Sequence, residues 1–192
     1  MDAEFDIPRA EEYLTLLRKR LPDKTYDHVQ SVARTMLTFA EEAGITREQA
    51  ITAGLLHDSC KAFQREELLK RAGDYGISDH LDNPNLLHGP VAAAECRELL
   101  GIVDADVLEA IRYHTTGHGG WSKVGSALYI ADFAEPLRRM PQSKIARDML
   151  VSDGFCATLR YVTEQKVAHV KERFTLDSDT RAFADWILQE PG

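Results

Sequence analysis

Apolar residues recur at three- and four-residue intervals along most of this chain, which is the spacing of amphipathic helices. The first such stripe runs from Tyr13 to Leu21 and lies between Pro8 and Pro22. Because proline is tolerated at the start of a helix but not in its interior, the two prolines mark the limits of a first predicted helix.

A second stripe runs from Val29 to Ala40 and stops before Gly44. Glycine readily adopts the left-handed conformation that ends many helices, so Gly44 is the predicted end of this second helix. Asp23 or Thr25 is its predicted N-cap, because both side chains can accept a hydrogen bond from the first turn.

Residues 46–60 form the most apolar stretch. It begins with Thr46, and from Ala50 to Leu56 it is apolar on nearly every face, as is typical of a helix enclosed by others. Further helices are predicted near residues 65–73, 90–100, 104–114, 121–135, 153–173 and 178–189. No segment alternates apolar and polar residues for long enough to predict a strand. The pattern therefore predicts an all-α, helical bundle-like fold in a single domain over residues 1–192.

The length and the cysteine content argue against a fold stabilised by disulfides or a structural metal. A chain of 192 residues can bury roughly 70% of its unfolded surface in one domain. Its three cysteines, Cys60, Cys96 and Cys156, form no C-x-x-C pair. Their odd number and wide spacing indicate neither a disulfide framework nor a zinc knuckle, and they favour a reducing cytoplasm.

Charge and hydropathy narrow the range of partners. Lys and Arg number 23 against 31 Asp and Glu, giving a formal net charge of −8, which argues against nucleic acid as a ligand because duplex DNA is bound mainly through clustered cations. No stretch approaches the ~20 apolar residues of a membrane span, and the start MDAEFDIPRA does not resemble a secretory signal. We expect a cytoplasmic protein that neither crosses a membrane nor binds nucleic acid.

Several imidazole and carboxylate groups are predicted to point into the core. By helical spacing, the inward positions are held by His28, His57, Asp58, His114 and Asp132. His88 precedes Gly89 and Pro90, and Pro90 is predicted to open a helix, so His88 would project from a helix N-terminus. Burying a lone carboxylate costs several kcal/mol unless something compensates it. The combination suggests a bound cation.

Each residue taken alone has a simpler explanation. A single inward histidine is more often a hydrogen-bonded core residue than a metal ligand, and Asp132 could pair with Arg138 or Arg139. Lys61 could be a cation that the helix dipole favours near a C-terminus. Six such residues in the order His28, His57-Asp58, His88, His114, Asp132 are explained more simply by one shared metal.

This order resembles the H…HD…D pattern of the HD-domain metal-dependent phosphohydrolases. Four segments, AGLLHDSCK, LLHGPVAA, AIRYHTTG and ADFAEPLRR, together resemble the YqeK family within that group. The motif-bearing core extends over about residues 24–140. The loop HTTGHGGWS departs from the family pattern, with His118 and two glycines after Gly117.

The resemblance implies a primary metal site formed by His28, His57, Asp58 and Asp132. It implies that His88 and His114 hold a second ion or bind substrate phosphate, so that one or two ions are expected. Imidazole and carboxylate ligands without thiolate suit Fe, Mn, Co or Zn, and the resemblance implies iron. A divalent ion lowers the pKa of its water towards neutrality and offsets charge on phosphoryl oxygens; Asp58 is expected to orient that water.

The resemblance also implies symmetrical hydrolysis of diadenosine tetraphosphate to two ADP. Lys61, one turn after Asp58, is expected to stabilise charge on the phosphate under attack. Arg138, in a segment that matches the family's EPxR, is expected to grip a phosphate bidentately. Thr115 could donate a hydroxyl hydrogen bond to the substrate or simply end its helix.

Three alternatives remain open at this point. The first is an HD-domain nucleotidase that acts on nucleoside or deoxynucleoside phosphates, and the second is a sensor that binds a nucleotide without turnover. The third, an RNA-binding or structural helical module, is disfavoured by the acidic charge balance and by the inward polar residues. The pattern does not decide between a monomer and a homodimer, and nothing in the spacing identifies adenine.

Overall fold

Ten α-helices and no strand make up the regular structure of residues 5–189, the part of the chain that the computed structural model describes. The helices are α1 (Ala10–Arg20), α2 (Asp23–Ala43), α3 (Arg47–Leu56), α4 (Arg65–Asp74), α5 (Pro84–Glu98), α6 (Ala105–Tyr113), α7 (Lys123–Ala134), α8 (Pro141–Ser152), α9 (Gly154–Lys171) and α10 (Ser178–Gln189). The predicted all-α fold class is confirmed. The predicted single domain over 1–192 also includes the first four and last three residues, which lie outside the described part.

Helix α3 lies at the centre of the fold, as its all-round apolar pattern predicts. It contacts α1, α2, α6 and α7, and its residues from Ala50 to Leu56 are all buried. Gly54 meets α2 so closely that a Cβ placed there would lie 2.5 Å from the Cα of Ala33. The small residue brings the two helix backbones together, and it thereby places the end of α3 beside α2.

The ends of the first helices follow local capping chemistry. Thr46 forms a capping box with Gln49, in which each side chain accepts a hydrogen bond from the other residue's backbone N–H. Gly44 ends α2 in the left-handed conformation, with φ of 68°, as predicted. The predicted N-cap of α2 at Asp23 or Thr25 is wrong, because the helix begins at Asp23 and its N-cap position is Pro22, which has no side-chain donor or acceptor.

Helix α3 ends at Leu56, four residues before the predicted limit of 60. The backbone continues as tight turns, with N–H groups of Ser59 and Lys61 donating to the carbonyls three residues earlier. These bonds are typical of the 3₁₀ turns that end many helices. The turn carries His57 and Asp58 at the inner end of α3 and leaves Lys61 close behind them.

Helix α5 corrects the prediction for Pro90 and His88. The helix begins at Pro84, where the side chain of Asn83 accepts a hydrogen bond from the N–H of Asn85, so Pro90 lies inside the helix and does not open it. An interior proline removes one backbone hydrogen bond. His88 is therefore a buried residue of the helix and does not project from an N-terminus.

Helix α8 was not predicted from the sequence. Its inward face is limited to Ser143 and Ala146, while Ile145 and Val151 are exposed, so the apolar pattern is weak. Pro141 at the start of the helix was the available signal. Helix α8 connects α7 to α9, which in turn packs against α2, α7 and α10.

Among residues 5–189, no helix is both long enough and apolar enough to cross a membrane. All three cysteines are free, with Cys60 and Cys96 buried and Cys156 exposed.

Candidate functional site

The predicted site residues come from five different parts of the helical core and meet in one place. His28 lies on α2, Asp132 on α7 and His88 on α5. His57 and Asp58 follow α3, and His114 follows α6 as its C-cap residue. All six are within 4 Å of at least one other member of the set.

Asp58 connects two pairs of imidazoles through its two carboxylate oxygens. Its Oδ2 lies 3.9 Å from His28 Nε2 and 3.7 Å from His57 Nε2. Its Oδ1 lies 3.0 Å from His88 Nε2 and 3.3 Å from His114 Nε2. Each of the two histidine pairs, taken with Asp58, is a group that could hold a metal ion.

Three of the histidines are oriented by hydrogen bonds from the ring nitrogen that faces away from Asp58. His57 Nδ1 donates to the carbonyl of Gly54 at 2.9 Å, and His114 Nδ1 donates to that of Ile111 at 2.8 Å. When Nδ1 carries the proton in a neutral imidazole, Nε2 carries the lone pair. Backbone acceptors of this kind typically orient metal-binding histidines.

The third oriented histidine uses a carboxylate. His28 Nδ1 donates to Glu135 Oε1 at 3.1 Å, and the other carboxylate oxygen of Glu135 accepts from the backbone N–H of Leu137 at 2.7 Å. Glu135 is almost fully buried, with a side chain that is 2% exposed. This is the carboxylate–histidine arrangement that commonly fixes a metal ligand.

The two ring nitrogens that face Asp58 Oδ2 lack hydrogen-bond partners, whereas His88 Nε2 is within hydrogen-bond distance of Asp58 Oδ1, at 3.0 Å. His57 Nε2 has none, and His28 Nε2 lies 3.2 Å from Asp132 Oδ1 without the alignment of a hydrogen bond. Buried polar atoms in native proteins are nearly always satisfied. Two unsatisfied nitrogens beside two carboxylates fit the donor set that a divalent cation requires, so these residues could hold a metal ion.

Asp132 adds a second carboxylate beside His28 and is surrounded by cations. Arg138 Nη2 lies 2.8 Å from its Oδ1, and Lys166 Nζ lies 3.7 Å from its Oδ2. The pairing of Asp132 with Arg138 is the salt bridge that the sequence allowed as an alternative to a metal-ligand role. It coexists with the contact between Asp132 and His28, so Asp132 is shared between the histidine cluster and the cations.

The other edge of the site carries Lys61 and Thr115. Lys61 Nζ lies 3.5 Å from Asp58 Oδ1 and 3.4 Å from His88 Nε2, and its side chain is 43% exposed. The hydroxyl of Thr115 lies 3.1 Å from His114 Nε2. Because His114 Nδ1 already carries the proton, the hydroxyl is the donor in this contact. A partly exposed ammonium and a hydroxyl thus lie beside the second histidine pair.

The protonation states of the histidine cluster follow from burial and from opposed charges. Burial lowers the pKa of His57 to about 3 and also lowers the pKa of His88, so both are neutral. Burial likewise opposes charge on His28, but the carboxylates of Asp132 and Glu135 outweigh it and raise the pKa of His28 to about 9. Without a metal, His28 therefore carries the proton that a divalent cation would replace.

Both carboxylates of the cluster are ionised. Burial alone would raise the pKa of Asp58, but the surrounding imidazoles and Lys61 hold it well below its usual range. The pKa of Asp132 is also held well below its usual range against burial, by His28, Lys166 and Arg138. Two buried negative charges are thus available to a cation.

Sequence reasoning missed two residues of the site, Glu135 and Lys166. Glu135 lies three residues after Asp132, so helical spacing could have placed both on one side of the end of α7. Lys166 lies on α9, outside the predicted core of about residues 24–140, and only the tertiary packing of α9 brings it to Asp132.

A second, separate group of possible metal ligands lies near the start of α10. His80 Nδ1 is 3.6 Å from Asp177 Oδ2, and His80 Nε2 is 3.9 Å from Asp179 Oδ2. All three residues are partly exposed. The two distances involve different ring nitrogens, so the geometry also suits an ion pair between an imidazolium and two carboxylates.

Comparison with known proteins gives the context of this site. The HD domain family model matches residues 25–158, which include all six members of the histidine and aspartate cluster. The symmetrical bis(5'-nucleosyl)-tetraphosphatase of Bacillus subtilis (strain 168) is 30% identical over 93% of this chain and 97% of its own length. The symmetrical bis(5'-nucleosyl)-tetraphosphatase of Staphylococcus aureus (strain NCTC 8325 / PS 47) is 36% identical over 72% of this chain and 73% of its own length.

A solved structure has the same fold. It is the crystal structure of a Clostridium acetobutylicum protein described as a predicted HD superfamily hydrolase involved in NAD metabolism. It superposes with a TM-score of 0.86, shares 27% sequence identity, and is matched over 93% of this chain and 96% of its own. The likeness thus extends over nearly all of both chains.

Proposed function

This chain belongs to the HD domain family, and from that membership we propose that it is a metal-dependent hydrolase that cleaves diadenosine tetraphosphate symmetrically into two ADP. The relatives from B. subtilis and S. aureus are named for symmetrical tetraphosphatase activity and align with most of this chain. The observation that carries the proposal is Asp58, whose two oxygens each face a pair of imidazoles. Nucleoside polyphosphates are the proposed substrate class.

The proposed ion site lies at the pair formed by His28 and His57, which faces Asp58 Oδ2. Its ligands would be His28, His57, Asp58 and Asp132. Iron is the proposed metal because of the resemblance to the YqeK family, although Mn, Co and Zn suit the same donors. A divalent ion there would lower the pKa of water towards neutrality and offset negative charge on phosphoryl oxygens.

The second pair is proposed to bind phosphate. His88 and His114 share Asp58 Oδ1 with the ammonium of Lys61, which lies 3.4 Å from His88 Nε2. A cation at this distance would repel a second divalent ion, and it would attract a phosphoryl oxygen. Lys61 therefore stabilises the negative charge that develops on the phosphate under attack.

Asp58 has a second proposed role beside that of ligand. Its carboxylate lies between the ion site and the phosphate site, so it can accept a hydrogen bond from the attacking water and orient it. The pKa of Asp58 is held well below its usual range, so its carboxylate is a weak base. Its proposed role is therefore to orient the water and to supply negative charge beside the ion.

Two further residues are proposed to hold the substrate. Arg138 is 41% exposed and already aligned on Asp132, so part of its guanidinium remains free for a bidentate phosphate contact. Thr115 can redirect its hydroxyl from His114 to a phosphoryl oxygen. With a nucleoside diphosphate held on the ion side, water would attack the second phosphorus from that nucleoside, and both products would be ADP.

The test is a chromatographic time course on a substrate panel. Diadenosine tetraphosphate should yield ADP as its sole nucleotide product, a chelator should abolish turnover, and Asp58→Ala should lose activity severely. Equal amounts of AMP and ATP would refute symmetrical cleavage. Turnover of deoxynucleoside monophosphates alone would favour the nucleotidase, and tight binding without turnover would favour the sensor.

The cellular setting belongs to the same proposal. The enzyme is proposed to act in the cytoplasm on a small nucleotide, without nucleic acid as a partner. A monomer and a homodimer are both compatible with the site, because all of the proposed ligands come from one chain. Sedimentation of the purified protein would distinguish the two assemblies.

A further inference from the structure

Lys166 reaches the Asp132 side of the site from a position on its helix that lies beyond the matched family region. It belongs to α9, and the family model ends at residue 158. Its Nζ lies 3.7 Å from Asp132 Oδ2, and its side chain is only 20% exposed. The ammonium is thus held at the wall of the site by tertiary packing.

The ring of Tyr129 fixes the approach of this lysine. Lys166 Nζ lies 3.6 Å from the centre of the ring, within the range of a cation–π interaction. Tyr129 is itself fully buried on α7. The ring therefore supports the ammonium from one side, while the other sides of the ammonium remain available to Asp132 and to a ligand.

Asp132 has more positive charge around it than its own neutralisation requires. Arg138 already pairs with Oδ1 at 2.8 Å, and His28 Nε2 lies 3.2 Å from the same oxygen. Burying an additional ammonium is costly unless it is compensated. The carboxylate of Asp132 is shared with Arg138 and His28, so it compensates the Lys166 ammonium only in part. A polyanionic ligand would supply the remaining negative charge.

The charges of the whole site support this conclusion. Three carboxylates and three basic side chains meet there, and they belong to Asp58, Asp132, Glu135, Lys61, Arg138 and Lys166. A divalent cation bound to this set would give the site a net positive charge. A chain of phosphates is the class of ligand that matches such a charge.

We infer that Lys166 binds a phosphate of the nucleotide on the Asp132 side of the site, opposite the phosphate that Lys61 contacts on the Asp58 side. This inference rests on the proposed function, because it assigns a residue to the phosphate chain of that substrate. Lys61 is adjacent to Asp58 Oδ1 and Lys166 to Asp132 Oδ2. The flexible four-carbon stem of lysine lets Nζ contact a phosphoryl oxygen without leaving the Tyr129 ring.

The first test compares ADP binding by two charge-removing variants of α9. Lys166→Met removes the ammonium but keeps a similar apolar stem, and Lys171→Met makes the same change at an exposed position of the same helix. With metal-loaded protein in a calorimeter, Lys166→Met should weaken ADP binding roughly ten- to hundredfold, the usual loss for a hydrogen bond to a charged group. Lys171→Met should bind ADP as the unaltered chain does.

The metal content of the same samples separates direct binding from an effect through Asp132. Lys166→Met is expected to retain the ion at the level of the unaltered chain. Unchanged ADP affinity in Lys166→Met would overturn the inference. Loss of the ion together with ADP affinity would also overturn it, because the lysine would then act only by positioning Asp132.

A second test uses the unaltered chain, so it does not depend on the folding of a variant. Amine-selective acetylation followed by mass spectrometry should show that ADP slows modification of Lys166 and leaves Lys171 unaffected. An unchanged rate at Lys166 alongside cleavage of diadenosine tetraphosphate to ADP would refute the role of the lysine and leave the proposed function standing. Protection of Lys166 by ADP without any turnover would support the role of the lysine and refute the proposed reaction.

Discussion

Replacing Glu135 with alanine should weaken metal binding without touching any proposed metal ligand. Glu135 is buried and accepts hydrogen bonds from His28 Nδ1 at 3.1 Å, from the N–H of Leu137 at 2.7 Å and from the side chain of Ser31. The first of these bonds fixes the His28 ring so that Nε2 faces Asp58 and Asp132. In Glu135→Ala the ring loses this orientation, and the ion loses a nearby negative charge.

The size of the effect follows from the role of Glu135 as an outer partner of a metal ligand. Loss of such a partner typically lowers metal affinity about 10- to 100-fold, which corresponds to about 1.4–2.7 kcal/mol. Glu135→Gln should not restore the full affinity. An amide has one oxygen and one NH₂ group, so either the His28 N–H or the Leu137 N–H would face another donor, at a cost of about 1–3 kcal/mol.

The assay is competition for Mn²⁺ against a chromophoric chelator, with Glu164→Ala as the control for removing a glutamate from an exposed position. Circular dichroism would verify that the variants are folded. The expected order of affinity is the unaltered chain and Glu164→Ala first, then Glu135→Gln, then Glu135→Ala. A folded Glu135→Ala protein with unaltered affinity would refute the idea that Glu135 orients His28 for a metal.

Three further outcomes are expected. Arg138→Ala should raise the KM for diadenosine tetraphosphate while leaving the metal content intact. Arg138→Lys should recover only part of the loss, because an ammonium lacks the planar fork of a guanidinium. Full activity of Arg138→Ala would exclude Arg138 from the substrate site. Gly54→Ala should lower the melting temperature, since its Cβ would lie 2.5 Å from the backbone of α2 and overpacking costs about 1–3 kcal/mol. Gly73→Ala, whose Cβ would meet nothing within 4 Å, should instead stabilise α4 slightly. Equal melting temperatures of the two variants would contradict this. A thiol reagent should titrate one cysteine in the folded protein, Cys156, and three after denaturation, and rapid reaction of all three in the folded protein would contradict the buried positions of the other two.

The fold was largely predictable because helix α3 is apolar on every face and its neighbours have clear stripes. The errors occurred where two local signals competed or where the apolar pattern was weak. Pro84 and Pro90 could each mark the start of a helix by sequence alone. The helix begins at Pro84, because the side chain of Asn83 caps it there. Helix α8 has an inward face of only two buried residues, so periodicity could not reveal it.

The candidate site was predictable to the extent that its residues lie at the inward positions of helices. His28 and Asp132 each follow an apolar stripe, and the dipeptide His57-Asp58 ends the most buried helix. Glu135 and Lys166 follow no apolar stripe. The spacing of three residues from Asp132 could have placed Glu135 at the end of α7, but Lys166 lies on α9 and only the packing of that helix brings it to the site.

The most direct test of the central claim is the position of the metal in a crystal of the Mn²⁺-loaded protein, located by anomalous scattering. The account predicts one strong peak per chain, about 2.0–2.3 Å from His28 Nε2, His57 Nε2 and one carboxylate oxygen each of Asp58 and Asp132. A peak only between His88 and His114 would contradict the assignment of that pair to phosphate. A peak only at His80, with none beside Asp58, would contradict the proposed active site as a whole.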